Sequence, residues 1–106
     1  MMLSGNKMDY NKELEYNLNK FNEIPINLFP KIKEIFDKNL NQCWIDKAKE
    51  MIEENGLVNW MIPFHFNTGM SIRNLLRNKG ITDNLFPDNN LDDYYIPMLE
   101  WWLGYR

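Results

Sequence analysis

The chain has 106 residues, of which 44% are hydrophobic and 14% are aromatic. This length predicts one domain over residues 1–106, with enough apolar surface to fold without metal or disulfide bonds. The net charge of -3 argues against binding of duplex nucleic acid. Cys43 is the only cysteine, and the sequence contains no signal-peptide-like or membrane-spanning run. These features predict a reducing, cytoplasmic location and no membrane partner.

The first helix is predicted from the spacing of apolar residues near the N-terminus. Leu14, Leu18 and Phe21 repeat at helical intervals. They predict a helix from about Asp9 to Phe21, preceded by a flexible N-terminus over residues 1–8.

Two more helices are predicted in the middle of the chain. Pro30 can open the second helix in its first turn, where its missing N–H costs nothing, and this helix is expected to end near Asn41. The third helix is expected to close at Asn55-Gly56, with glycine as a left-handed cap.

A fourth helix is predicted from near Pro63 to Asn78-Lys79-Gly80, where a basic last turn precedes a glycine. Its inward face should carry His65, Ile72 and Leu76. No alternation of apolar and polar residues is long enough for a sheet. The predicted fold is therefore all-α, a compact single-domain bundle of about five helices.

The last helix has a proline close to its start. Asn90 can cap it. Because Pro97 lacks a backbone donor, the helix either kinks at Asp93 or begins near Ile96, with residues 92–95 as a turn. The residues predicted to share one continuous core are Leu14, Leu18, Ile35, Phe36, Ile45, Ile52, Ile72, Leu76 and Leu99.

The segment 64–74 holds the most informative side chains. It contains the only histidine, His65, followed at helical spacing by Gly69 and Arg73. In a helix these residues share one edge, so Gly69 leaves a notch between an imidazole and a guanidinium group. Such a notch suits an anionic or planar ligand, or a second helix packed closely against the glycine.

The charges of the second half are segregated. Every charged residue from His65 to Thr82 is basic, and every one from Asp83 to Glu100 is acidic. The two blocks are expected to fold onto each other as ion pairs. In that arrangement Arg73 pairs with an aspartate of the acidic block, and in a binding site it holds a ligand phosphate instead.

Two segments of this half, residues 65–74 (HFNTGMSIRN) and 91–96 (LDDYYI), resemble a family of small bacterial and phage domains, domain of unknown function 6794. The family pattern is His-Phe-Gly-x-Gly-x-x-Ile-Arg-Asn followed by Pro-Asp-Asp-Met, and this chain has Asn67 in place of the first glycine. The resemblance implies a helical fold. The family name implies no activity, and a counter-defence role in the host cytoplasm is an analogy with other small phage domains.

Three functions stay open. The first is non-enzymatic capture of a small anionic, nucleotide-like ligand such as a signalling nucleotide, held by arginine and stacked aromatic rings. The predicted ligand-binding residues are His65, Phe66, Gly69, Arg73, Asn74, Arg77, Asp92, Asp93, Tyr94 and Trp102. The second is a protein-interaction module or homo-oligomer formed through aromatics of residues 94–105. The third is a small hydrolase that pairs His65 with Asp92 or Asp93.

Catalytic and cofactor motifs are scarce in this sequence. One histidine and one cysteine are too few for a zinc site, and the scattered glycines form no phosphate-binding loop. We therefore predict no metal, no cofactor and no catalytic residue, and favour a binding protein over an enzyme. The competing interpretation is structural: the aromatics pack as core, and Arg73 pairs with Asp92 or Asp93.

Overall fold

The computed structural model describes residues 2–57, 60–61 and 68–106. Across these ranges the chain is all-α, with five α-helices and no strand. The helices are α1 (Met2–Glu23), α2 (Phe29–Asn39), α3 (Gln42–Asn55), α4 (Thr68–Asn78) and α5 (Tyr95–Trp102). Within the described ranges, each helix is either too short or too polar to span a bilayer.

Helix α1 is longer than predicted, and its packed side differs from the predicted one. It begins at Met2 and includes residues 2–8, whose flexibility stays a prediction. Leu18 is 47% exposed, so its assignment to the core was wrong. The helix packs through Phe21, and Ile24 directly after its end is buried. The half-buried positions of α1 lie around Asn17, and at about 100° per residue Leu18 is turned away from them toward solvent.

Helices α2 and α3 begin and end as their local sequence predicts. Pro30 lies in the first turn of α2. The side chain of Asn41 caps α3 by accepting the Trp44 N–H at 2.9 Å. Gly56 follows α3 with a φ of 86°, as predicted, although its ψ of 166° is extended and not left-handed helical. Glycine is favoured there because a side chain would strain this backbone.

Helix α4 begins at Thr68, and Pro63 and His65 of its predicted first turns lie outside the described residues. Ile72 and Leu76 are buried, as predicted. After the helix, Gly80 has a φ of 96°, and the N–H of Ile81 returns to the Leu76 carbonyl at 2.9 Å. This pattern closes the helix where the basic last turn and glycine indicated.

The segment before α5 follows the second of the two predicted alternatives. Residues Leu91–Asp93 form a 3₁₀ turn, and α5 begins at Tyr95. The Asn90 side chain accepts the Asp92 N–H at 3.2 Å, so it caps the 3₁₀ turn and not α5. Pro97 lies in the first turn of α5, where no helical hydrogen bond is lost.

Helix α5 forms the centre of the core. Its residues Tyr95, Met98 and Leu99 are fully buried, and the other helices pack around them. Of the predicted core residues, those that are buried are Ile35, Phe36, Ile52, Ile72, Leu76 and Leu99. Leu14 is half-buried, and Ile45 packs against the core from a half-buried position.

Candidate functional site

The arginines of α4 face the 3₁₀ turn Leu91–Asp93. Arg73 Nε and Arg77 Nη2 lie 3.0 Å and 3.1 Å from the same oxygen, Oδ1 of Asp92. Arg77 also donates to Asp83 through Nε and Nη2, at 3.3 Å and 3.1 Å. The basic and acidic blocks therefore fold onto each other as the charge pattern predicted, and one carboxylate oxygen bridges two guanidinium groups.

Asp83 connects this cluster to the backbone of the turn. Its Oδ1 accepts the Leu91 N–H at 2.8 Å. The hydrogen bonds from Arg77, and to a smaller extent from this N–H, hold the pKa of Asp83 below its usual range. In return, the hydrogen bond to Asp83 raises the pKa of Arg77. Both groups stay ionised at neutral pH, which fixes the turn against α4.

Arg73 is more enclosed than its partner Asp92. The Arg73 side chain is 12% exposed, and its Cζ lies 5.1 Å from the ring centroid of Tyr95, in cation–π geometry. Burial raises the pKa of Tyr95, and the nearby Arg73 opposes that rise. The Nη1 of Arg73 is buried, and within residues 2–57, 60–61 and 68–106 it has no acceptor in hydrogen-bonding geometry. A charged donor in that state is unusual in a folded protein.

Gly69 is a position of close approach, as its place in a helical apolar pattern suggested. A Cβ on this residue would lie 2.7 Å from Tyr95 Oη and 3.3 Å from Arg73 Nη1. Side chains of α5 and α4 therefore occupy the Arg73 side of the predicted notch, and its other wall, His65, lies outside the described residues. This arrangement matches the predicted alternative of a second helix packed closely against the glycine.

The neighbouring Asp93 points away from the arginines, toward α1. Lys20 Nζ donates to Asp88 at 3.0 Å and lies 5.3 Å from the ring centroid of Tyr94, whose hydroxyl donates to Glu23 at 2.9 Å. Burial and the neighbouring Asp88 raise the pKa of Asp93. The hydrogen bond from Asp93 lowers the pKa of Asp88 to about 2. Asp93 and Tyr94 therefore belong to a separate cluster against α1.

Trp102 lies in a third place, against α2 and α3. Its Nε1 donates to Asp37 at 2.8 Å, and its ring lies 5.5 Å from Phe36 and 6.3 Å from Trp44. The ring of Trp101 lies 4.7 Å from another core-packed aromatic, Phe29. The C-terminal aromatics thus contribute mainly to internal packing, which removes most of the aromatic surface on which the interaction-module hypothesis was based.

The predicted ligand-binding residues consequently fall into groups. The structure brings together Gly69, Arg73, Arg77 and Asp92. It places Asp93, Tyr94 and Trp102 in the two other clusters, and Asn74 on an exposed face of α4. His65 and Phe66 lie outside the described residues. The hydrolase hypothesis, which pairs His65 with Asp92 or Asp93, stays a prediction because His65 is outside the described part of the chain.

Glu100, which is not among the predicted site residues, is fully buried. Trp60 Nε1 donates to its Oε2 at 2.9 Å, and Arg106 Nε donates to its Oε1 at 3.1 Å. Burial raises the pKa of Glu100. The available signal was an acidic residue inside the apolar run 98–103, which indicates a carboxylate carried into a core with its own partners.

Comparison with family models, with curated proteins and with solved structures found no match to this chain. The resemblance of segments 65–74 and 91–96 to a phage domain family therefore stays a prediction. Among the described residues, no three His, Cys, Asp or Glu side chains are grouped to hold a metal ion. The fold and site define a small all-α domain with a paired-arginine face on α4.

Proposed function

We propose that this protein binds a small anionic, nucleotide-like ligand at the arginines of α4 and catalyses no reaction. One observation carries the proposal: among the described residues, no acceptor meets the buried Nη1 of Arg73 in hydrogen-bonding geometry. Leaving a buried donor unpaired costs about 1–3 kcal/mol, and more for a charged group. A phosphate or carboxylate oxygen placed at Nη1 would remove that cost and form a charge-assisted hydrogen bond.

The surrounding charges also suit an anion. Arg73 and Arg77 share a single oxygen of Asp92, and the side chain of Asp92 is 49% exposed. Because Asp92 is half-exposed and can turn toward water, an incoming phosphate can compete with it for the two guanidinium groups. Arginine is well suited to this exchange, since its planar fork matches phosphate geometry.

Arg73 is held in place before any ligand arrives. Its guanidinium lies over the Tyr95 ring, 5.1 Å from the centroid, and Tyr95 is fully buried. A donor that is already fixed loses less conformational entropy on binding. The proposed site is therefore pre-organised around Gly69, where the absence of a side chain leaves room for Tyr95 and Arg73.

A thermal-shift panel tests the proposal: inorganic phosphate, nucleoside mono-, di- and triphosphates, and cyclic mono- and dinucleotides. A ligand present at one hundred times its dissociation constant adds about 2.7 kcal/mol of stability. For a domain of this size, the expected rise in Tm is roughly 10 °C or more. The finer hypothesis, sequestration of a signalling nucleotide by a phage protein, predicts that a cyclic nucleotide gives the largest rise.

The decisive variant is Arg73→Lys, which keeps the positive charge and loses the planar fork. We expect it to remove the ligand-induced rise in Tm and to leave the ligand-free Tm within a few degrees of wild type. Lys79→Gln is the matched control, because Lys79 is exposed just beyond the end of α4. The proposal fails if no panel member raises the Tm, or if Arg73→Lys keeps the full rise.

A further inference from the structure

A groove lies beside Trp102, at the C-terminal end of α5. None of the residues that line it belongs to the paired-arginine face on α4. This groove runs between α2, α3 and the C-terminal end of α5 and has a volume of about 310 Å³. Ile45, Trp102 and Leu103 give it apolar walls. Its volume falls at the lower end of the range of about 300–1,000 Å³ that is typical of small-molecule sites.

The indole of Trp102 is fixed by its surroundings. Its N–H donates to Asp37 at 2.8 Å, and Phe36 and Trp44 pack against the ring at tilted angles. The hydrogen bonds from Lys33, and to a smaller extent from Trp102, hold the pKa of Asp37 below its usual range. The Asp37 carboxylate therefore stays ionised. Because the polar edge of the indole is already satisfied, the ring offers the groove an apolar π surface.

The rim of the groove carries one uncompensated positive charge. Lys33 is paired with Asp37, with Nζ 2.6 Å from Oδ2. Lys49 also lines the groove, and it forms no ion pair with any residue whose side chain the structure describes. A groove with a fixed indole and one unpaired ammonium group complements a flat ring that bears a single acidic group.

We infer that the Trp102 groove binds a planar aromatic ring carrying one phosphate or carboxylate group. The ring stacks on Trp102, and the acidic group pairs with Lys49. This site shares no residue with the paired-arginine face on α4, so the inference does not depend on the proposed function.

Titration with adenosine 5′-monophosphate, followed by the indole N–H resonances in ¹H–¹⁵N spectra, tests the inference. We expect the Trp102 indole signal to shift and to saturate. Adenosine lacks the acidic group and ribose 5-phosphate lacks the ring, so each should bind at least about tenfold more weakly, as expected for loss of one substantial interaction. An unmoved Trp102 signal at about 1 mM adenosine 5′-monophosphate would overturn the inference.

A pair of lysine variants on α3 separates this groove from other anion sites. Lys49→Met removes the rim charge and keeps the aliphatic stem, and it should weaken binding of adenosine 5′-monophosphate about tenfold. Lys47→Met is the matched control, because Lys47 lines a different cavity on the other side of α3, and it should bind as wild type does. Equal affinity of both variants would overturn the inference. So would loss of the Trp102 shift in Arg73→Lys, which would assign the binding to α4.

Discussion

Two arginine–carboxylate pairs in this protein look alike and have different surroundings. Arg73 lies 3.0 Å from Asp92, and Arg106 lies 2.9 Å from Glu100. Arg106 Nη2 faces the Glu100 carboxylate directly, whereas the buried Nη1 of Arg73 has no acceptor in hydrogen-bonding geometry among the described residues. The carboxylates differ: the side chain of Asp92 is 49% exposed, and that of Glu100 is fully buried.

This difference in exposure distinguishes an ion pair that stabilises the core from one that can exchange with a ligand. A buried carboxylate cannot leave its partners without a large desolvation penalty, so the Glu100 pair is expected to be part of the core. A half-exposed carboxylate can turn to water at little cost, so the Asp92 pair is open to exchange with a ligand.

The largest effect is expected at Glu100. Glu100→Ala removes the acceptor of Trp60 and the counter-ion of Arg106 from inside the core. We expect the free energy of unfolding to fall by about 3–5 kcal/mol, measured by urea denaturation. Glu50→Ala, at an exposed position on α3, should change it by less than about 0.5 kcal/mol. A similar small loss for both variants would show that the buried pair is not needed by the core.

The next effect is expected at Gly69. Gly69→Ala places a methyl group 2.7 Å from the Tyr95 hydroxyl, and overpacking of this kind costs about 1–3 kcal/mol. The better helix propensity of alanine recovers up to about 1 kcal/mol. Adding Tyr95→Phe should restore part of the loss in a double-mutant cycle. A net gain in stability for Gly69→Ala would contradict the close approach.

A smaller effect is expected at the α4 ion pair. In a double-mutant cycle, Arg73→Ala with Asp92→Asn should show a coupling energy of about 0.5–1 kcal/mol, because Asp92 is half-exposed. The same cycle with Asp93→Asn should show none, since Asp93 faces α1. Equal coupling to both aspartates would mean that the 3₁₀ turn does not separate them.

The smallest effect concerns the pH dependence of the α1 cluster. The pKa of Asp93 is raised in the folded protein by burial and by Asp88. Its contribution to stability is therefore full below its unfolded pKa and is lost as pH rises through the folded value. Asp93→Asn should abolish this part of the decline and leave the variant slightly more stable than wild type at pH 7. Denaturant titrations between pH 4 and pH 7 measure it, with Glu53→Gln as the exposed control.

Local sequence patterns accounted for most of the fold. Helical periodicity and end signals located α2, α3 and the end of α4, because the inward faces of these helices are defined within a few turns. Periodicity failed at Leu18, because the side of α1 that becomes buried is decided by packing against α5. It also could not find Glu100, because its partner Trp60 is 40 residues away in sequence.

The candidate site was predicted in part. Charge segregation correctly placed the arginines of α4 against the acidic block. The charge pattern could not show which of Asp92 and Asp93, or of Tyr94 and Tyr95, faces the arginines. Neighbouring side chains in a helical turn point about 100° apart, so only one of each pair can do so, and their order in the sequence does not say which. Trp102 was grouped with Arg73 because aromatic rings and arginine together suit a nucleotide-like ligand. The three-dimensional packing places the two residues in separate clusters.

Titration with inorganic phosphate tests whether Nη1 of Arg73 takes its acceptor from a ligand. The guanidinium ¹⁵N–¹H resonances of Arg73 and Arg106 can be followed together. We expect the Arg73 signals to move and saturate, while those of Arg106, held at the buried Glu100, do not. Arg73 signals that stay unmoved, or that move no further than those of Arg106, would contradict it.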